Sequence, residues 1–296
     1  MEPMPMSEAY RGLLHEITYR GTDETNARTG VKIRMAGGGH SFKVDLSGKR
    51  LPVPGNRRYF PRVAAAEVAW QLMGTREPDF ILKHAPKLWE KFVEDGELAT
   101  AYGYRWRKHF GRDQLGMAVQ QLRDNPTNRQ LYISAWDPSS DGLGAPHQPM
   151  NIPCPVGFSL TRMPPMSFNA RRGAGTDEIH MSLFIRSSDV ICGLPYDTMC
   201  YALTLDAVAK SVGCLPGTLH VTLAHPHIYE PHFGIVYDCI AAVGKHVEWT
   251  DGVQPQLPDW SIEEIEADPD TYVSLVAHLS KQVARPDWNP LPELVV

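Results

Sequence analysis

Apolar residues recur at helical spacing over 7–18, 63–73, 86–95, 114–124 and 197–212, and each stretch predicts an α-helix. Alternation of apolar and polar positions over 31–35 and 40–46 predicts two strands, with the glycines at 37–39 turning the chain between them. That glycine run lacks the following Lys-Ser/Thr of a phosphate-binding loop, so it reads as a hairpin turn. Further strands are expected over 129–136, 154–158, 179–185 and 220–229, while 235–243 fits either a helix or a strand. The segment 139–149 is rich in Gly, Pro and Ser and reads as a loop. A long polar excursion occupies 163–177, and from residue 255 the chain turns Pro- and acid-rich. No internal repeat and no linker interrupts the pattern, so residues 1–296 read as one domain.

One position breaks the periodicity. Glu67 falls on the apolar face that Val63 and Trp70 define, four residues before and three after. A carboxylate there is costly unless it is ion-paired or put to use, and the pattern alone leaves both open.

Composition narrows the classes. With 43% apolar residues, 21% charged residues and a net charge of -5, the chain has no overall attraction for nucleic acid or anionic membrane. Bound phosphate must therefore be held by a local arginine cluster. No apolar run is long enough for a membrane-spanning helix, and the start lacks a signal-peptide pattern, so a cytoplasmic protein without membrane partners is expected. The five cysteines show no C-x-x-C spacing, which argues for reduced thiols over a zinc or disulfide framework.

Cys154 lies between two prolines, rigidly held; it is either a small buried hydrophobe or a thiolate nucleophile in a basic setting. The run from His225 to His232 holds three histidines and a glutamate. Strand alternation puts His227 and Tyr229 on one face, which suits sugar-hydroxyl recognition at least as well as metal binding. Arg28, Arg129 and Arg186 each sit beside small or polar residues; singly they read as surface arginines, together as a clamp for a phosphomonoester. Finally, Arg186-Ser-Ser-Asp-Val-Ile-Cys-Gly-Leu-Pro-Tyr-Asp197 runs an anion-gripping pair into an apolar strand. A Gly-Leu-Pro break follows, and then a carboxylate at a helix entrance.

These blocks, with Ala101-Tyr-Gly-Tyr-Arg-Trp-Arg107, Asp124-Asn-Pro-Thr-Asn-Arg129, Ser134-Ala-Trp136 and Pro153-Cys154, resemble the folate-dependent thymidylate synthase family from about residue 10 onward. The resemblance implies an α+β fold in which a large mixed β-sheet packs with helices and mediates a homodimer. It implies Cys154 as the nucleophile that adds to C6 of a pyrimidine, Glu67 as the catalytic glutamate and Tyr102 as an aid to proton removal from C5. Arg28, Arg186, Ser187 and a partner-supplied Arg129 would hold the 5′-phosphate, and His227 and Tyr229 the sugar 3′-hydroxyl. Trp89, Asp189, Gly193 and Val296 would line the site of 5,10-methylenetetrahydrofolate, with no metal required.

Departures from the family pattern sharpen the expectation. Asp197 stands where the family normally carries the asparagine that reads uracil, and a carboxyl group that shares a proton with N3 and accepts from the 4-amino group suits cytosine; the alternative is a helix N-cap. The expected substrate is therefore dCMP rather than dUMP, which would place the chain in a cytosine-specific branch of phage type that serves modified cytosine. The expected product is 5-methyl-dCMP, with hydroxymethylation of dCMP the near alternative. Hydroxymethylation of CMP and a non-catalytic nucleotide- or RNA-binding relative are further alternatives. Pro155, His225 and Gln130 replace a histidine, an acidic residue and a second arginine of the family pattern.

Overall fold

The computed structural model of the protein describes residues 6–26, 29–54, 59–144, 152–164, 176–246 and 255–281. Helix α1 (Met6–Arg20) buries Tyr10, Leu13, Leu14 and Ile17, the one-sided spacing of an amphipathic helix. Three strands follow, β1 (Thr22–Thr25), β2 (Lys32–Met35) and β3 (His40–Asp45). Helix α2 (Pro61–Met73) starts with a proline in its first turn and ends at Gly74, whose φ of 62° is the left-handed cap. It is alanine-rich and buried on almost every side, so it acts as a central strut. Short helices α3 (Asp79–His84), α4 (Pro86–Trp89) and α5 (Tyr102–Tyr104) lead through a π-helical turn at Arg105–His109 into α6 (Gln114–Asp124).

Strand β4 (Tyr132–Ser134) then pairs with β5 (Pro155–Met163), and β5 with β6 (Glu178–Asp189). Helix α7 (Leu194–Ser211) carries the chain back to β7 (Leu215–Tyr229), which lies parallel to β6. The seven-stranded sheet has the order β1-β2-β7-β6-β5-β4, with β3 also paired to β7, and every pairing except β6 with β7 is antiparallel. One face of the sheet, with Phe158, Leu160, Leu183, Ile185, Val221 and Leu223, is buried under the helices. Ser182 and Phe184 point to the opposite, open face. Helices α8 (Phe233–His246), α9 (Ile262–Ala267) and α10 (Pro269–Lys281) complete the described chain.

This is the mixed sheet packed with helices that the resemblance implies. The ambiguous 235–243 segment is helical, within α8. The 129–136 stretch contributes a strand of only three residues, although Leu131 and Ala135 on either side still exchange backbone hydrogen bonds with β5, at 2.9 and 2.8 Å. The acid-rich stretch after 255 holds two helices that composition hid. Ser261 and Glu264 form a reciprocal capping box that starts α9, and Tyr272, Val273 and Val276 bury one side of α10 next to α2. One correction bears on function. Helix α7 begins three residues before Asp197, with Gly193 at its N-cap position. The Asp197 N–H donates to the Gly193 carbonyl at 2.9 Å, inside the first turn, so Asp197 is not the helix cap. Arg28 and Val296 lie outside the described residues, as does most of the 163–177 excursion. Among the described residues no helix is long and apolar enough to cross a membrane.

A buried ion pair ties the turn at Arg105 to the 135–141 segment. The Arg105 guanidinium donates twice to Asp141, once at 3.0 Å, and also to the Ala135 carbonyl at 2.9 Å, with both side chains shielded from solvent. Removing one partner leaves an uncompensated buried charge. Asp141→Ala is expected to cost about 3–5 kcal/mol, read as a lowered urea midpoint at unchanged slope.

Candidate active site

Strand directions explain why residues scattered through the chain converge. Because β6 and β7 are parallel, their C-terminal ends coincide, and Asp189 lies opposite His227. Because β5 is antiparallel to β6, its beginning lies at that same end, with Pro155 opposite Ile185. Cys154, the 186–189 segment and the 225–229 segment therefore share one rim. The register of β5 slips between Pro155 and Gly157, a bulge that redirects the strand just after Cys154. An added Cβ at Gly157 would stand 2.6 Å from the Ile133 carbonyl, so only glycine lets β4 close on β5 there.

Cys154 is half-buried at this rim. Its backbone N–H donates to the Tyr102 hydroxyl at 3.5 Å, and the Arg186 guanidinium donates to its sulfur at 3.8 Å. The Arg186 N–H also donates to the Cys154 carbonyl at 2.7 Å, while its guanidinium lies 5.4 Å from the Trp136 ring centre. This is the basic microenvironment that favours a thiolate. Burial, and then the neighbouring Cys154 and Asp197, push the Tyr102 phenol well above its ordinary range, so it remains a neutral hydroxyl at physiological pH.

Glu67 projects from α2, almost fully buried. The Trp89 indole N–H donates to one carboxylate oxygen at 3.1 Å and the Cys200 thiol to the other at 3.6 Å. Among the described residues no cation pairs with it, so the buried ion pair that periodicity left open is absent. Desolvation outweighs both hydrogen bonds and raises the carboxyl to about 7, a poise that allows both giving and taking a proton.

Asp197 keeps some solvent access yet is ringed by protein. Desolvation, then the charges of Glu67 and Asp189, push its carboxyl up to about 8. Among the described residues no side chain or backbone donor reaches that carboxyl, and a Cβ at Gly193 would stand 3.7 Å from its oxygen. Asp189 has one oxygen bound by the N–H groups of Ile191 and Cys192, at 2.9 and 3.0 Å. The His227 Nδ1–H donates to the His225 carbonyl at 3.1 Å, and the Tyr229 ring stands edge-on at 5.0 Å.

These raised carboxyls carry a stability consequence. Free carboxyls ionise near pH 4, so the native chain keeps a proton on Glu67 from about pH 5 to about pH 7, and on Asp197 to about pH 8, that the unfolded chain has released. Unfolding then releases protons, and stability falls as pH rises through that window. Glu67→Gln and Asp197→Asn should each flatten the decline in urea midpoint of the ligand-free protein; slopes unchanged in both variants would contradict it.

The structure thus brings together Cys154, Tyr102, Arg186, Glu67, Trp89, Asp189, Gly193, Asp197, His227 and Tyr229 on adjoining elements. Arg129 is exposed in the connection between α6 and β4, with no contact to the Cys154 cluster among the described residues. Ser187 lies opposite His225 on the rim. The histidines do not gather as one group: His232 instead approaches Cys192 at 3.9 Å. The sequence assigned no site role to Cys200, Trp136 or Gln114, although Trp136 and Gln114 fall within the family-like blocks. Cys200 lies three residues after Asp197, a helical spacing that could have flagged it. The Gln114 amide bridges the carbonyls of Arg105 and Ser134 at 3.0 and 2.9 Å, holding the wall behind Trp136 in place, and no local pattern announces that.

A half-buried cysteine beside an arginine, a buried glutamate and a second raised carboxyl converge at the rim of a mixed sheet as one candidate active site. The thymidylate synthase family profile matches residues 8–266. A thymidylate synthase of Brachyspira hyodysenteriae (strain ATCC 49526 / WA1) is 29% identical over 229 residues, spanning 75% of this chain and 79% of that protein. The chain belongs to the thymidylate synthase family. Its class of reaction is therefore folate-dependent transfer of a one-carbon unit to C5 of a nucleotide, with methylenetetrahydrofolate as co-substrate.

Proposed function

We propose that the protein transfers the one-carbon unit to C5 of dCMP, yielding 5-methyl-dCMP. The observation that carries this reading is Asp197: a carboxyl raised to about 8, without a protein donor among the described residues, and coupled to Glu67 and Asp189. Addition of the Cys154 thiolate at C6 moves an electron pair through C5 towards N3 of cytosine. A protonated Asp197 can hand its proton to N3 while its other oxygen accepts from the 4-amino group. With uracil the same charge develops on O4, where an amide donor serves; an amide has no proton to transfer to N3. Carbon 5 of the adduct then attacks the one-carbon unit. Glu67 and the Tyr102 hydroxyl organise removal of the C5 proton as the bond between the transferred carbon and the folate nitrogen breaks; hydride from the tetrahydrofolate so released would then reduce the C5 methylene, and Cys154 leaves C6 as the methyl product forms.

Arg186 and Ser187 would take the 5′-phosphate, with Arg28, and with Arg129 supplied by a second copy of the chain across the open sheet face. Its exposure in this chain leaves Arg129 available for that role. His227 Nε2 and the Tyr229 hydroxyl would take the 3′-hydroxyl of a deoxyribose. The residues suit the folate as well: Asp189 has one oxygen tied to the backbone, Gly193 leaves room beside it, and Trp89 presents a ring held by Glu67, with the tail ending at Val296 as a cover. Methylenetetrahydrofolate supplies both the carbon and, for a methyl product, a hydride. The burial of Trp89 against Trp70 and Phe92, with ring centres 5.3 and 5.9 Å away, favours a dry site and hence reduction. Water in place of hydride would give 5-hydroxymethyl-dCMP.

Incubation with dCMP, dUMP or CMP and methylenetetrahydrofolate, followed by mass spectrometry of the nucleotide, tests the reading. A methyl gain on dCMP supports it, and an additional oxygen identifies hydroxymethylation. Turnover of dUMP alone would refute the cytosine assignment.

A further inference from the structure

Beside the base-reading end of the cleft, three side chains of different chemistry converge. Asp189 closes β6, Cys192 lies in the turn that follows, and His232 sits in the single 3-10 turn between β7 and α8. One ligating atom of each, a carboxylate oxygen, Sγ and an imidazole nitrogen, lies within 4.8 Å of the other two. The Cys192 sulfur and His232 Nδ1 are 3.9 Å apart. A tetrahedral zinc ion with bonds of about 2.3 Å to sulfur and about 2.0–2.1 Å to nitrogen separates those atoms by roughly 3.6 Å, so that pair needs only a small closure while the carboxylate oxygen, within 4.8 Å of both, moves in to complete the set. His232 is buried and Cys192 half-buried, which fixes the donors while leaving one side open to the cleft. Asp189 is already oriented by the Ile191 and Cys192 amides, which bind one of its oxygens.

We propose that Asp189, Cys192 and His232 form a binding site for a soft divalent cation, zinc in particular, with the fourth position open to the cleft. The mixed oxygen, sulfur and nitrogen donors select against magnesium and calcium, which prefer all-oxygen shells. The thiol must lose its proton on binding, so affinity rises with pH. The site has a consequence that rests on the folate reading of Asp189: a bound cation and the co-substrate compete for the same carboxylate, so zinc acts as a reversible brake on the enzyme and not as its cofactor.

The full chain, reduced and stripped with a chelator, is titrated with zinc against a chromophoric chelator and with cobalt(II) in the absorption spectrometer. Expected are one tight equivalent of zinc and, with cobalt, an intense near-ultraviolet thiolate-to-metal band. Cys192→Ser should weaken zinc binding at least tenfold and abolish the band; this near-isosteric change at a half-buried site keeps the test independent of folding. His232→Gln should weaken binding comparably, and Cys154→Ser should leave both signals intact. No uptake by the wild-type chain at micromolar zinc overturns the proposal, as does a band that survives Cys192→Ser or disappears with Cys154→Ser. A band that appears as expected but is not reduced by methylenetetrahydrofolate refutes the folate role of Asp189 while supporting the cation site.

Discussion

Cys154→Ser abolishes one-carbon transfer, lowering kcat by at least about 10⁴-fold, the scale on which loss of a covalent nucleophile is felt. Serine occupies nearly the same volume between Pro153 and Pro155, so the rim should keep its shape. What disappears is an ionisable sulfur. The Arg186 guanidinium, 3.8 Å from Sγ, can stabilise a thiolate, but it cannot bring an alkoxide within reach near neutral pH. Nucleotide binding should survive, because the phosphate and sugar ligands are untouched. The measurement is turnover together with protection of the variant against thermal unfolding by dCMP. Turnover within tenfold of the wild type would remove Cys154 from the mechanism.

Asp197→Asn reverses the base preference. The ratio of kcat/KM for dCMP to that for dUMP should fall by about 10³-fold or more, because a site built for one hydrogen-bonding pattern leaves polar groups unpaired against the other. Most of the change should come as a loss with dCMP, since the amide cannot deliver a proton to N3 as the thiolate adds. The pH profile supplies a second readout. With dCMP the wild-type rate should decline above about pH 8 as Asp197 loses its proton, a limb that the dUMP reaction of the variant lacks. An unchanged ratio of the two substrates would show that Asp197 does not read the base.

Much of this site was legible in the chain because its parts are carried by short, ordered motifs. Cys154 between prolines, the Arg186-to-Asp197 run and the His227-Tyr229 pair each keep their chemistry within a few residues. Glu67 stood out because a carboxylate interrupts an apolar helical face, and its meaning depended on whether a cation was near. The fold answered that: Trp89, 22 positions further along the chain, and Cys200, 133 positions along, are its partners. Other features were illegible for the same reason. Asp141 pairs with Arg105 across 36 positions, and the His232–Cys192 approach spans 40 positions. Helices α9 and α10 were missed despite a local signal, since the Ser261–Glu264 capping box was obscured by the acidic and proline-rich composition around it.

The sequence by itself determined the identity and order of the candidate site groups, the alternation that makes the β5–β7 strands half-buried, and the presence of a carboxyl at position 197. These are properties of residue type and spacing over one or two turns or strands. The tertiary structure alone decided their state. Parallel pairing of β6 with β7 and antiparallel pairing with β5 bring Cys154, Asp189 and His227 to one rim. Burial beside each other raises Glu67 to about 7 and Asp197 to about 8. A proton's affinity depends on the dielectric and charges around it, and those are set by which distant segments fold against it.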